Sequence, residues 1–222
     1  MKNYSVFDIL GPVMIGPSSS HTAGAARLGK VAMSIAGKDF TSVTFYLHGS
    51  FAKTYRGHGT DRALVAGILG LNADDSRLRN SIEMASQRNI KINFVETDLG
   101  DEHPNTVKIV FKKKDGTEVE VTGSSIGGGN IIITKINEDN VEFTGTLPTL
   151  IVKHVDTKGM VSKITSELAK NEINIATMKV NRKGKGKEAL TVIECDNVIS
   201  SEVVEKLSKL EQVLSARFIN PV

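Results

Sequence analysis

The chain has 222 residues, 40% apolar and 24% charged, which suits a globular protein of one or two domains. Its 28 basic and 25 acidic residues leave a net charge of +3, too small to argue for nucleic acid or an anionic membrane as partner. One cysteine excludes an internal disulfide framework and a self-held iron–sulfur cluster, which takes about four thiolates, and fits a reducing, cytoplasmic setting. No run approaches the roughly 18 apolar residues of a membrane span. The opening MKNYSVFDILGP lacks the basic-then-apolar pattern of a secretory signal.

The first expected helix follows Ser18-Ser19-Ser20-His21-Thr22, with Leu28, Val31, Ala32 and Ile35 at helical spacing and Gly37 as its stop. Val43, Phe45 and Leu47 alternate as a strand that ends at His48-Gly49. A second helix starts at Thr60 or Asp61, both good caps, and runs to Gly70; a third starts near Ser76 and carries Leu78, Ile82 and Ala85. Strands are expected at Ile90–Phe94 and Val107–Phe111, and Asp115-Gly116 turns the latter into Val119 and Val121. Gly123 to Gly129 reads as a flexible loop before the strand Ile131–Ile133. The last 75 or so residues read β-α-β-β-α-β, the order of a ferredoxin-like unit. The expected fold is therefore α+β, with a mixed N-terminal domain over 1–145 and the ferredoxin-like domain over 146–222.

Three segments carry candidate chemistry. Ser18, Ser19, Ser20, His21 and Thr22 stand at a helix start, where free N–H groups and the positive dipole end favour a small carboxylate or phosphate; a serine cap with loop filler is the plainer alternative. Gly57-His58-Gly59-Thr60-Asp61 repeats the hydroxyl-and-histidine pattern, and His48-Gly49-Ser50 lies upstream of it. Asn105, in His103-Pro104-Asn105, is positioned to hydrogen-bond an amino acid or merely to end a turn. The histidines lack a paired ligand spacing, so no metal site is expected. Lys183 to Lys187 sits between strands and reads as a solvated turn, and Cys195 as a small buried residue.

The strings GPSSSHTAGAARLG, HGS, GHGTDRA, HPN and SIGGG, in this order, resemble the β subunit of the two-chain, iron–sulfur-dependent L-serine dehydratases (L-serine ammonia-lyases). The resemblance spans essentially the whole chain. One departure is Ala25, where many relatives carry proline. The resemblance implies an allosteric-substrate-binding-like N-terminal domain and a C-terminal ACT domain. In the latter, Asp156, Gly159 and Met160 would belong to an effector-binding loop, and the domain would support self-association. It also implies a 4Fe–4S cluster held by a separate α subunit, a cluster iron acting as Lewis acid on the serine hydroxyl, and pyruvate and ammonia as products. Carried over residue by residue, His21 becomes the proton-transfer candidate. Ser18, Ser19, Ser20, Thr22, His58, Thr60 and Asn105 become substrate-binding candidates. A non-enzymatic serine sensor is the alternative, since both domain types occur in regulatory roles.

Overall fold

The computed structural model describes residues 12–222, so the opening MKNYSVFDILG lies outside the described residues. The chain divides into two compact units between Asn137 and Glu138, a few residues before the junction expected at 145/146.

The first unit contributes strands β1 (Phe40–Leu47), β2 (Lys91–Glu96), β3 (Thr106–Lys113), β4 (Glu118–Gly127) and β5 (Asn130–Ile136), in the order β2-β1-β3-β4-β5. Only the β1–β2 pair is parallel, with Phe45 opposite Phe94; the pairs from β1 through β5 are antiparallel. Short connections explain this. The Asp115-Gly116 turn closes β3 onto β4, its Asp115 carboxylate accepting the Thr117 N–H at 2.9 Å and hydroxyl at 2.7 Å, whereas β1 reaches β2 through a helical crossover. The helices are α1 (Ala25–Ala36), α2 (Gly49–Thr54), α3 (Thr60–Ile68) and α4 (Ser81–Gln87). Phe45, Leu47, Ile109, Phe111, Ile131 and Ile133 of the sheet are buried, as are Leu28, Val31 and Ile35 of α1 and Leu64 and Ile68 of α3.

α1 and α3 cross at their backbones. A Cβ on Gly67 would stand 2.1 Å from the Ala26 carbonyl oxygen, and one on Gly29 would stand 2.4 Å from that of Leu64. Two glycines at one crossing let the helix backbones touch, which fixes where each helix begins relative to the other.

Three expectations change. Gly123, Ser124 and Ser125 are not loop but buried strand in β4, and the turn shrinks to Gly128-Gly129. Glycine and serine are poor strand formers in isolation; here Leu28 packs over Gly123, and the Ser124 and Thr106 hydroxyls bond each other at 2.6 Å. The helix expected from Ser76 begins as a 3-10 turn, Ser76–Asn80, capped by Asp75, before α4. Neither Thr60 nor Asp61 caps α3 through its side chain; Gly59, left-handed at φ 71°, occupies the cap.

The second unit holds β6 (Asp139–Phe143), β7 (Thr149–Val155), α5 (Met160–Lys170), β8 (Ile175–Arg182), β9 (Glu188–Cys195), α6 (Ser201–Ser208) and β10 (Val213–Ile219). Its sheet runs β10-β7-β9-β8, all antiparallel, the strand order of a split βαβ unit. Met160, Ile164 and Leu168 recur every fourth residue along the buried face of α5 and meet Val203 and Leu207 of α6 over Leu150, Val152 and Ile193. β6 was not expected; Glu142 pairs with Lys179 at 2.8 Å and Asp139 with Lys183 at 3.7 Å. His154 is a core residue: its Nδ1–H donates to the Val155 carbonyl at 2.9 Å, and its Nε2 accepts from the Thr191 hydroxyl at 2.9 Å, so both ring nitrogens are satisfied.

Candidate functional site

The chain enters α1 through one π-turn, Ser19–Gly24, with Ser18 as cap. Ser18 closes its start: Ser18 Oγ accepts the His21 backbone N–H at 3.2 Å while the Ser18 carbonyl accepts the Thr22 N–H at 2.8 Å. Ser19 and Ser20 lie half-buried in the same turn. Gly24 is needed beneath it, because a Cβ there would fall 2.0 Å from Ser125 Oγ.

The His21 ring sits between two hydroxyls. Nε2 lies 3.1 Å from Ser50 Oγ and Nδ1 lies 3.4 Å from Ser18 Oγ. Ser18 Oγ already accepts the His21 N–H, so its own proton is free to point at Nδ1. That arrangement leaves the ring proton on Nε2, donating to Ser50. Ser50 is fixed in turn by α2, whose first amides are bound by the Pro104 carbonyl: Ser50 N–H donates to it at 2.7 Å and Phe51 N–H at 3.4 Å. The His103-Pro104-Asn105 loop therefore acts on the site through its backbone. Asn105 itself packs toward β4, accepting the Ser125 N–H at 3.0 Å and donating its side-chain amide to the Ser125 carbonyl at 3.5 Å.

His58 meets His21 edge-on, with ring centroids 4.9 Å apart, and Phe51 closes another side at 5.2 Å. Burial, and then the neighbouring His58, push the His21 pKa below its ordinary 6.5. Both effects disfavour the charged imidazolium, so His21 is predominantly the neutral base at pH 7.

Of the expected site residues, the fold brings His21, Ser18, Ser19, Ser20, Thr22 and His58 together. Thr60 is fully buried at the start of α3, and its hydroxyl has no hydrogen-bond partner among the described residues. The Thr22 hydroxyl is likewise buried and without a partner among them, and Thr22 lines a cleft of about 250 Å³ together with His58 and three arginines. In the second unit, Gly159 is left-handed at φ 86°, which lets the chain turn from β7 into α5, and a residue with a Cβ would be strained there. Asp156 pairs with Arg182 at 3.2 Å. Met160 is a core side chain, 1% exposed, so only its backbone faces the loop.

Ser50, named in the sequence within His48-Gly49-Ser50 but not as a partner of His21, and the three arginines join the functional candidates here. Ser50 lies in a helix of six residues, too short to show periodicity, and the arginines read individually as solvated charges.

The second unit's strand order, with a glycine turning the first strand into the first helix, defines a small ferredoxin-like domain, and the ACT domain family matches residues 148–212. The serine dehydratase beta chain family matches residues 5–136, and the chain belongs to it. The chain is 41% identical to the L-serine dehydratase beta chain of Peptoniphilus asaccharolyticus, over 99% of both chains. It is 45% identical to the probable L-serine dehydratase beta chain of Bacillus subtilis strain 168, over 96% of this chain and 97% of the relative. A D-3-phosphoglycerate dehydrogenase of the same Bacillus strain is 27% identical over 88% of this chain, which spans 37% of that protein. No helix among the described residues is long and apolar enough to cross a membrane.

Proposed function

We propose that this chain is the β subunit of a cytoplasmic L-serine ammonia-lyase, which eliminates water from L-serine and releases pyruvate and ammonia. The observation that carries the reading is His21, held neutral between Ser18 and Ser50 at the mouth of a helix, in a chain so similar to L-serine dehydratase beta chains. Elimination requires a base for the Cα proton. A neutral imidazole with a lowered pKa is available for it at pH 7, and the His58 neighbour disfavours a second positive charge. Ser18, Ser19, Ser20 and Thr22 supply hydroxyl groups around that base, and Thr60 and Asn105 support the same corner of the fold.

The four-iron cluster implied by the family resemblance does not fit this chain's own donors. Cys195 is fully buried, its thiol pushed up to about 11 by burial and then by Asp196, and it lies in the core of the second unit. No group of three His, Cys, Asp or Glu residues placed to hold a metal occurs among the described residues. The cluster is accordingly assigned to a cysteine-bearing α subunit. Anaerobic reconstitution of this chain alone is expected to give no cluster absorption, whereas copurification with the α subunit is expected to give a brown complex. A stoichiometric cluster on the isolated chain would contradict the division of labour.

The ACT domain is proposed to pair with a second copy, since a lone four-stranded sheet leaves edges and a face to cover. Removal of residues 147–222 is expected to lower the number of chains per particle in light scattering. An unchanged number would refute this. The loop of Asp156, Gly159 and Met160 is proposed as its effector contact, tested by whether L-serine moves the Gly159 amide signal.

A further inference from the structure

The cleft beside His21 carries an unusual concentration of positive charge. Arg56, Arg62 and Arg79 line it from three different segments: the turn that follows α2, the first turn of α3 and the 3-10 turn. His58 forms part of the same wall, and the buried Thr22 hydroxyl, which has no partner among the described residues, lies in its lining. Asp61, outside the lining, accepts the Arg62 backbone N–H at 2.8 Å, and its carboxylate offsets part of the charge of Arg62 and Arg56. Arg56 also stacks over the Tyr55 ring at 5.3 Å, which restrains its guanidinium. A small cleft lined by three arginines favours an anionic ligand, and a buried hydroxyl without a partner is costly unless a ligand accepts or donates to it.

We propose that this cleft seats the carboxylate of the amino-acid substrate, with Arg56, Arg62 and Arg79 supplying the charge and Thr22 a buried hydrogen bond. The inference rests on the serine reading above and departs from it in one respect: the carboxylate is held by arginines, not by the serine-rich turn. An α-amino acid carries Cα one bond, about 1.5 Å, from its carboxylate carbon. His58, which lines the cleft, meets the His21 ring at 4.9 Å between centroids, so an amino acid bound here by its carboxylate lies beside that pair.

The test is steady-state kinetics of the α–β complex with Arg62→Gln and Arg79→Gln, both at exposed positions where folding should be unaffected. Each is expected to raise KM for L-serine by about 10- to 100-fold, the loss of a charged hydrogen bond, with kcat within about threefold. An active wild-type complex whose KM moves by less than about twofold in both variants overturns the carboxylate seat and leaves the serine reading standing. A wild-type complex that forms with its cluster and releases no pyruvate overturns the serine reading instead. The seat is then decided on this chain alone, from the amide signals of Gly16, Gly57 and Gly59 titrated with L-serine, L-serinamide and inorganic phosphate. Shifts with L-serine but not L-serinamide support it. No shift, equal shifts with both, or phosphate binding as tightly as L-serine overturns it.

Discussion

His21→Ala is expected to lower kcat of the α–β complex by about 10²–10⁴-fold while the protein stays folded with its cluster content unchanged. The ring is half-buried and bonded to two hydroxyls, one at 3.1 Å and one at a long 3.4 Å, so its structural share is small, about 1 kcal/mol or less. Its chemical share is large, because removal of the Cα proton needs a base and the groups hydrogen-bonded to its ring are hydroxyls. A structural histidine would show the reverse: a lower melting temperature and near-normal kcat in what survives. A variant with intact cluster and kcat within about threefold of wild type would remove His21 from the reaction. The pH profile adds a sign. Because burial and then His58 hold the folded His21 pKa below 6.5, the free base persists as pH falls through 6.5, and the acid limb of kcat/KM is expected to have its midpoint below that value. The same shift makes stability depend on pH. The unfolded chain takes up the proton first, so the contribution is full above 6.5 and is lost as pH falls from there toward the lower folded value.

Gly67→Ala is expected to destabilise the first unit by about 3 kcal/mol or more, the upper range for overpacking. The new methyl would meet the Ala26 carbonyl oxygen at 2.1 Å, the Lys30 nitrogen at 2.8 Å and the Gly29 Cα at 2.9 Å. All three are backbone atoms, so no rotamer change relieves the clash and the helices must separate. For a unit of this size the melting temperature is expected to fall by about 10 °C, read by circular dichroism or calorimetry. Activity should fall with it, because α1 carries His21 at its head and α3 carries Gly59 and Thr60 at its own. A melting temperature within about 2 °C of wild type would show that the crossing relaxes at little cost.

The elements with strong periodicity were legible in the sequence. Leu28, Val31 and Ile35 marked α1, Ile164 and Leu168 marked α5, and the β-α-β-β-α-β order of the second unit followed from alternating patterns separated by turn residues. Where local preference and tertiary context disagree, the sequence misled. Gly123-Ser124-Ser125 has loop composition, yet a glycine is what lets Leu28 lie on the sheet, and Ser124 finds its partner on β3. The site divided in the same way. His21, His58 and their serines and threonines stood out because small and hydroxyl residues cluster around them. The link from the Pro104 carbonyl to Ser50 to His21 joins three distant segments through a backbone oxygen, which has no residue signature. Arg56, Arg62 and Arg79 converge only when the turn that follows α2, helix α3 and the 3-10 turn are packed together.

The central claim is that this chain supplies half of a serine-deaminating site and not a free-standing sensor. The most direct measurement is pyruvate release from L-serine under anaerobic conditions by this chain, by the cysteine-bearing α subunit, and by the two together. The account predicts pyruvate and ammonia in equal amounts from the mixture and from neither chain alone. Serine binding by this chain with no pyruvate from the cluster-loaded mixture would contradict it.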